Sequence, residues 1–118
     1  MFSISKRFSF SASHQLGHLP AGHPCARLHG HNYVVEVVIE SPCLDERGFC
    51  RVDYGELKVF QNYLDDVLDH RHLNDVIDVR TTAENLAKHL FGKAREVSPF
   101  VVAVRVSETP RTWAEYRP

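Results

Sequence analysis

Three histidines and one cysteine in the first third of the chain have the types and spacing of a catalytic zinc site. One residue separates His29 from His31, Cys25 precedes them by a few positions, and His14 lies upstream. In an extended strand, residues i and i+2 point to the same face, so the rings of His29 and His31 can converge on one ion. Zinc held by three nitrogens keeps a position open for substrate or water, whereas structural zinc is usually closed by four ligands. The pattern predicts Zn2+ bound by His14, His29 and His31.

Cys25 has two alternative roles at such a site. It lies four residues before His29, in a loop that contains glycine and proline. As a fourth ligand it would make the zinc structural. As an unbound thiol near the metal it would serve as a thiolate base, because nearby positive charge lowers a thiol pKa from its usual value of about 8.5. The spacing alone leaves both roles open.

Two further groups carry side chains that are used in proton transfer or in binding. Asp69 precedes His70, and such a carboxylate can orient an imidazole and stabilise its charged form. The same residues also suit an ordinary helix C-terminus, where cations are favourable. Glu108 is expected just after a strand, where a glutamate is normally solvated, although a carboxylate can also accept two parallel N–H bonds from an aminopyrimidine edge.

Two strands are expected to position the histidines. Residues Phe2 to His14 alternate between apolar and polar side chains, and residues His29 to Glu40 do so more loosely. The intervening segment, Gln15 to Leu28, is rich in turn-forming residues and is predicted to be a loop. Antiparallel pairing of the two strands would bring all three histidines to one end of the sheet.

Two helices are expected in the second half of the chain. Asp53 and Glu56 resemble a capping box, and apolar residues at helical spacing extend that helix to about Asp69. A second start signal lies at Thr81 to Glu84, with Thr81 as the N-cap, and this helix is expected to close at Gly92 or just after it.

Residues Val101 to Val106 and Thr112 to Tyr116 are predicted to form the last two strands. The order β-β-α-α-β-β predicts an α+β fold, with a four-stranded antiparallel sheet and two helices on one face. Long edge strands must be covered or paired, so the sheet also predicts a homo-oligomer.

Length and composition limit the classes of protein to consider. With 118 residues, 43% hydrophobic residues and a formal net charge of −1, the chain is expected to form one soluble domain, residues 1–118, without affinity for nucleic acid. No apolar run approaches the ~20 residues that span a bilayer, and the N-terminus lacks a signal-peptide core, so a cytoplasmic protein without a membrane segment is expected. The three cysteines are expected to remain thiols.

Six segments, taken together, resemble the 6-pyruvoyl-tetrahydropterin synthase family. They span nearly the whole chain: Phe8–His14, Cys25–Tyr33, Val52–Tyr54, Leu68–His70, Thr82–Asn85 and Glu108–Thr109. The resemblance implies a tunnelling fold (T-fold) of the same β-β-α-α-β-β order. It also implies trimers that stack into hexamers, with active sites between subunits.

The resemblance assigns a role to each candidate residue. It implies zinc binding by the three histidines and proton abstraction by Cys25. Asp69 and His70 would form an acid/base relay, Glu108 would anchor a pterin at the catalytic centre, and Thr82 would contribute to substrate binding.

One spacing points to a branch of this family. Three residues separate Cys25 from His29, as in the bacterial 6-carboxy-tetrahydropterin synthases of queuosine and other 7-deazapurine pathways, whereas animal-type synthases have five. The resemblance implies conversion of 7,8-dihydroneopterin triphosphate to 6-carboxy-5,6,7,8-tetrahydropterin, acetaldehyde and triphosphate. The alternatives are a 6-pyruvoyl-tetrahydropterin synthase, which eliminates triphosphate, and a non-catalytic assembly that binds zinc or pterin.

Overall fold

The structure is a computed structural model that describes all residues from 1 to 118. Its elements in chain order are β1 (Phe2–His14), β2 (His29–Ser41), α1 (Lys58–Tyr63), α2 (Leu73–Val76), α3 (Ala83–Val97), β3 (Val101–Thr109) and β4 (Thr112–Tyr116). The strands form one antiparallel sheet in the order β1-β2-β3-β4. Helices and sheet share one hydrophobic core. The predicted α+β tunnelling fold is confirmed.

The pairing of β1 with β2 sets the geometry of the site. Its register places Phe10 opposite Tyr33, Ala12 opposite His31, and His14 opposite His29. Side chains of one parity on each strand therefore face the helices, and most of them are buried. The predicted first strand is confirmed, and the second continues one residue further than expected, to Ser41.

The first helical stretch begins and ends irregularly. The capping box between Asp53 and Glu56 is confirmed, but it opens a 3-10 turn, Tyr54–Leu57, which precedes α1. After α1 the chain widens into a π turn, Leu64–Leu68, closed by the Asp69 amide donating to the Leu64 carbonyl at 2.8 Å. Asp69 is therefore the first residue outside the helix, as expected.

The predicted limits of α3 are wrong at both ends. Its N-cap is Thr82, whose hydroxyl accepts from the Asn85 amide at 3.2 Å. Thr81 is fully buried instead, with its carbonyl and hydroxyl directed at His14. The helix also continues through Gly92 to Val97, because burial of its apolar face, including Ala94, offsets the cost of about 1 kcal/mol for an internal glycine.

Two further differences concern α2 and β3. The four-residue α2 was not expected from the sequence, and it buries Leu73 in the core. The third strand runs to Thr109 rather than ending at Val106, so Glu108 lies within β3 and not after it. None of the helices has the length and apolar content needed to cross a membrane.

Candidate active site and metal centre

His14, His29 and His31 meet where β1 ends and β2 begins. One ligand atom from each ring lies within 4.8 Å of the other two, and the Nε2 atoms of His14 and His29 are 2.9 Å apart. His14 is fully buried, whereas His29 and His31 are partly exposed. The expectation that the strands bring these three rings together is confirmed.

Backbone carbonyls orient two of the three rings. The Nδ1 atom of His14 donates to the Thr81 carbonyl at 2.8 Å, and that of His29 donates to the Arg27 carbonyl at 2.7 Å. A carbonyl only accepts hydrogen bonds, so each Nδ1 carries the proton and each Nε2 presents a lone pair. Two lone pairs facing each other at 2.9 Å repel unless a cation or a proton lies between them. The donor set therefore fits a divalent metal, and His14 and His29 already make the hydrogen bond through the second ring nitrogen that metal-binding histidines usually make.

Burial keeps the ring of His14 in the form that binds metal. It lowers the pKa of His14, although the Thr81 carbonyl and the charge of Glu108 oppose the shift. Burial also lowers the pKa of His31, and the neighbouring charge of His29 adds to the effect. Neutral imidazole is the ligating species, so no proton has to be removed from these rings at neutral pH. The three imidazoles are therefore positioned to hold a metal ion.

Glu108 projects from β3 into the same cluster. Its Oε2 atom lies 3.3 Å from Nε2 of His14 and 3.4 Å from Nε2 of His31. Burial raises the pKa of the Glu108 carboxyl, although the charges of His14 and His29 oppose that shift. Glu108 also lines a cavity of about 360 Å³, together with Ala83 and Trp113. Glu108 thus lies beside the histidines and borders a cavity.

Cys25 does not join the cluster as a fourth ligand. It lies in a single 3-10 turn, Pro24–Ala26, as a free and partly exposed thiol. The amide of Cys25 donates to Nδ1 of His23 at 3.0 Å, and its carbonyl accepts from Leu16 at 3.0 Å. The clustered ligand atoms come from the three histidines alone. Of the two roles open for Cys25, the structure favours the unbound thiol.

Asp69 and His70 form a hydrogen-bonded pair along the outer edge of β1. One carboxylate oxygen of Asp69 accepts from the Ser11 amide at 2.8 Å, and the other accepts from Nδ1 of His70 at 2.9 Å. These two hydrogen bonds hold the pKa of Asp69 below its usual range. His70 has a left-handed backbone, with φ of 59°, and its amide donates to the Ser11 carbonyl. Strained backbone of this kind persists where surrounding contacts enforce it, as at many functional sites.

The Asp69–His70 pair and the histidine cluster are not joined by a hydrogen bond within one chain. The imidazole of His70 is 83% exposed and borders a polar cavity of about 490 Å³ whose lining also includes Ser11, Ser13 and His31. The side chains of Ser11 and Ser13 alternate with that of His14 along β1, so they face the opposite side of the sheet. One chain therefore brings Glu108 within 3.4 Å of two of the histidines, whereas His70 shares only a cavity with His31.

Three more residues belong to the description of the site: Thr82, and Thr81 and Tyr33, for which no sequence pattern predicted a role at the site. The hydroxyl of Thr82 is used to cap α3. Thr81 supplies the carbonyl that fixes His14, a contact no local motif indicates. Tyr33 is fully buried beside His31, with no hydrogen-bond partner for its hydroxyl. The sequence feature that could have indicated Tyr33 as a site residue is its position two residues after His31, on the same face of β2. Burial, followed by the charge of Glu108, raises the pKa of Tyr33.

Known proteins resemble this chain over nearly its full length. The family model for 6-pyruvoyl tetrahydropterin synthase matches residues 3–118. The 6-carboxy-5,6,7,8-tetrahydropterin synthase of Synechocystis sp. is 35% identical over 122 residues, covering 98% of this chain and 93% of that protein. The protein of the same name from Bacillus subtilis is 34% identical over 132 residues, covering 99% and 86%.

A solved structure agrees with this assignment. The 6-pyruvoyl tetrahydropterin synthase of Caenorhabditis elegans superposes with a TM-score of 0.86 at 28% identity, covering 99% of this chain and 95% of that one. The match of the family model to almost every residue, together with relatives above 30% identity, shows that the chain belongs to the 6-pyruvoyl tetrahydropterin synthase family.

Proposed function

We propose that the protein is a zinc-dependent carbon–carbon lyase of the pterin synthase type. It converts 7,8-dihydroneopterin triphosphate and water to 6-carboxy-5,6,7,8-tetrahydropterin, acetaldehyde and triphosphate, a step in the synthesis of 7-deazapurines such as queuosine. The observation that carries this proposal is the convergence of three imidazoles and the Glu108 carboxylate at one point, with Glu108 also lining a cavity. We place the enzyme in the cytoplasm, where Cys25 remains a thiol.

Two observations favour the carboxy product over the pyruvoyl product. Two relatives above 30% identity carry the name 6-carboxy-5,6,7,8-tetrahydropterin synthase. Three residues also separate Cys25 from His29, which is the spacing of that branch. Membership of the family does not decide between the products, because the C. elegans protein and a relative from Dictyostelium discoideum, 30% identical, are named as pyruvoyl synthases.

Each side chain has a role that its surroundings support. Zinc bound by the histidines would polarise a substrate oxygen as a Lewis acid. Glu108, which contacts two of the histidines and lines the cavity, accepts N–H bonds from the aminopyrimidine edge of the pterin. Cys25 removes the carbon-bound proton. Asp69 holds Nδ1 of His70 at 2.9 Å, so Nε2 of His70 is free to exchange protons with the substrate. Thr82 lies next to the cavity-lining Ala83 and contacts the substrate there.

We further propose that a second copy of the chain supplies Asp69 and His70 to this centre. The pair makes no hydrogen bond to the histidine cluster of its own chain, and its imidazole is exposed. The strands β1 and β4 lie at opposite edges of the sheet. The last part of β1 is covered by hydrogen bonds with His70 and Arg71 and by a bridge between Ser13 and His72. Pairing of the free edges between copies would close a ring. The assembly we propose is a homohexamer, a dimer of trimers with active sites at subunit interfaces.

Mixing two inactive variants tests this shared site. Cys25→Ala and Asp69→Asn are each expected to lose activity when assembled alone. If each site draws these residues from different copies, co-assembly restores part of the activity, because some sites then contain both intact residues. Continued inactivity of the mixed, correctly sized assembly would show that both residues act within one chain.

The reaction itself is tested by identifying the products. Zinc-loaded protein is incubated with 7,8-dihydroneopterin triphosphate, beside Cys25→Ala, and the products are identified by mass spectrometry. The expected result is 6-carboxy-5,6,7,8-tetrahydropterin with acetaldehyde, both absent from the variant. A pyruvoyl product would assign the chain to the other branch. No turnover by the zinc-loaded protein would favour a non-catalytic assembly that binds zinc or pterin.

A further inference from the structure

The hydroxyl of Tyr33 is the one buried side-chain polar atom in the structure without a hydrogen-bond partner. Tyr33 is fully buried. Its ring stacks on Phe10, with centroids 4.9 Å apart, and contacts the rings of His31 and His14 edge-on at 5.4 and 6.0 Å. Buried polar groups are almost always paired, so an unpaired one at a candidate site requires an explanation. These contacts hold the Tyr33 ring in place and therefore fix the position of its hydroxyl oxygen.

The strand register places Glu108 next to Tyr33. The pairing of β2 with β3 sets Val35 opposite Val106. Two residues further along each antiparallel strand, Tyr33 and Glu108 occupy matching positions on the same face of the sheet. Glu108 is also the charged residue whose field acts on the Tyr33 phenol. The Glu108 carboxylate is therefore the candidate acceptor for this hydroxyl.

In this structure the side chain of Glu108 is directed toward the histidines. Its Oε2 atom faces the Nε2 atoms of His14 and His31, which are the atoms that would bind a metal. Because the proton of His14 is on Nδ1, its Nε2 atom donates no hydrogen bond to this carboxylate, which can therefore turn to another donor. A carboxylate has two oxygens and about four acceptor sites, so Glu108 can bind a ligand and still accept from one neighbour.

We propose that Tyr33 is a positioning residue, whose hydroxyl donates a hydrogen bond to the Glu108 carboxylate and fixes its orientation when a pterin is bound. The inference rests on the proposed function of Glu108 as the pterin anchor. Tyr33 does not touch the substrate in this arrangement. It acts by limiting the orientations of Glu108, which would otherwise have to be ordered by the ligand.

The variant Tyr33→Phe removes the hydroxyl and keeps the ring. In zinc-loaded protein, we expect its Kd for neopterin, measured by fluorescence titration, to rise about tenfold to a hundredfold, the range for a hydrogen bond to a charged group. In turnover the KM should rise more than kcat falls. Tyr63→Phe is the matched control, because the Tyr63 hydroxyl is bonded to His89 and does not border the site; its Kd should not change.

A double-mutant cycle identifies the partner of the hydroxyl. In a Glu108→Gln background, Tyr33→Phe should cause little further loss of neopterin affinity, because the charged acceptor is already gone. The metal-free Tyr33→Phe protein should melt no lower than the wild type, since replacing an unpaired buried hydroxyl by hydrogen leaves no polar group unsatisfied.

Three results would overturn the inference and leave the proposed function standing: an unchanged Kd in Tyr33→Phe, fully additive losses in the double variant, or a lowered melting temperature of the metal-free variant, which would indicate a purely structural role. If the zinc-loaded wild type does not bind neopterin at all, the proposed function fails and this inference fails with it.

Discussion

The Nδ1 atom of His14 lies 2.8 Å from the carbonyl oxygen of Thr81, and this contact joins the end of β1 to the residue before the cap of α3. It fixes the tautomer and the orientation of the most buried of the three rings. A backbone acceptor cannot be lost by a side-chain substitution, so the orientation of His14 depends on the fold itself. The centre is therefore expected to be prearranged before a metal binds.

Zinc should stabilise the fold through these histidines. A ligand that binds only the native state at 100 times its Kd adds about 2.7 kcal/mol. We expect zinc to raise the melting temperature of the wild type, measured by calorimetry, and a chelator to reverse the rise. His31→Ala should abolish most of this shift, whereas the exposed His18→Ala should keep it. An equal shift in His31→Ala would place the zinc elsewhere.

The absence of a side chain at Gly30 is predicted to maintain the distances between the metal-binding histidines. A Cβ atom at Gly30 would lie 3.1 Å from the backbone carbonyl oxygen of Ala12, so Gly30→Ala has to separate β1 from β2 between His29 and His31. We expect a loss of about 1–3 kcal/mol, as for other overpacked sites, and a weaker zinc Kd. Gly22→Ala, where nothing lies within 4 Å, is the control. Denaturant unfolding and zinc titration measure both effects, and equal results for the two variants would contradict the prediction.

The Asp69–His70 pair is predicted to act in turnover rather than in metal binding. Asp69→Asn keeps the size of the side chain but removes the charge that faces His70 and the Ser11 amide. We expect kcat to fall by roughly 10²–10⁴, as for other acid/base groups, with zinc content unchanged. The exposed Asp66→Asn serves as the control. Loss of zinc from Asp69→Asn would instead place the pair at the metal.

Acid should weaken the fold through Glu36, on the sheet face opposite the helices. Burial tends to raise the pKa of Glu36, but hydrogen bonds and charges from Arg105 and Arg7 lower it below its usual value. Because the folded state favours the ionised form, this stabilisation is present above the unfolded pKa of about 4.3 and is lost as pH falls through and below it.

The free energy of unfolding, measured by urea titration between about pH 7 and pH 3, should therefore fall more for the wild type than for Glu36→Gln. The exposed Glu46→Gln should follow the wild type. Parallel curves for Glu36→Gln and the wild type would show that this network does not contribute to the acid sensitivity.

The meeting of the three histidines could be predicted from the sequence. It follows from strand alternation, which is a local pattern, and from antiparallel pairing of two strands that follow one another in the chain. The cap of α3 was assigned to Thr81 rather than Thr82 because adjacent threonines give the same signal, and only the tertiary contact with His14 separates them. The left-handed backbone of His70 and the π turn before it have no sequence signature. Only the family resemblance placed Glu108 at the site. Its distance from the histidines depends on the register of β3 against β2, and the sequence around Glu108 does not specify that register.

The most direct test of the metal centre is X-ray absorption at the zinc edge of the loaded protein. Three histidine nitrogens and one further light atom at about 2.0–2.1 Å, without sulfur, are expected, in Cys25→Ala as in the wild type. A sulfur neighbour at about 2.3 Å that disappears in Cys25→Ala would show that the site is closed by the thiol, and would contradict an open catalytic centre with Cys25 as its base.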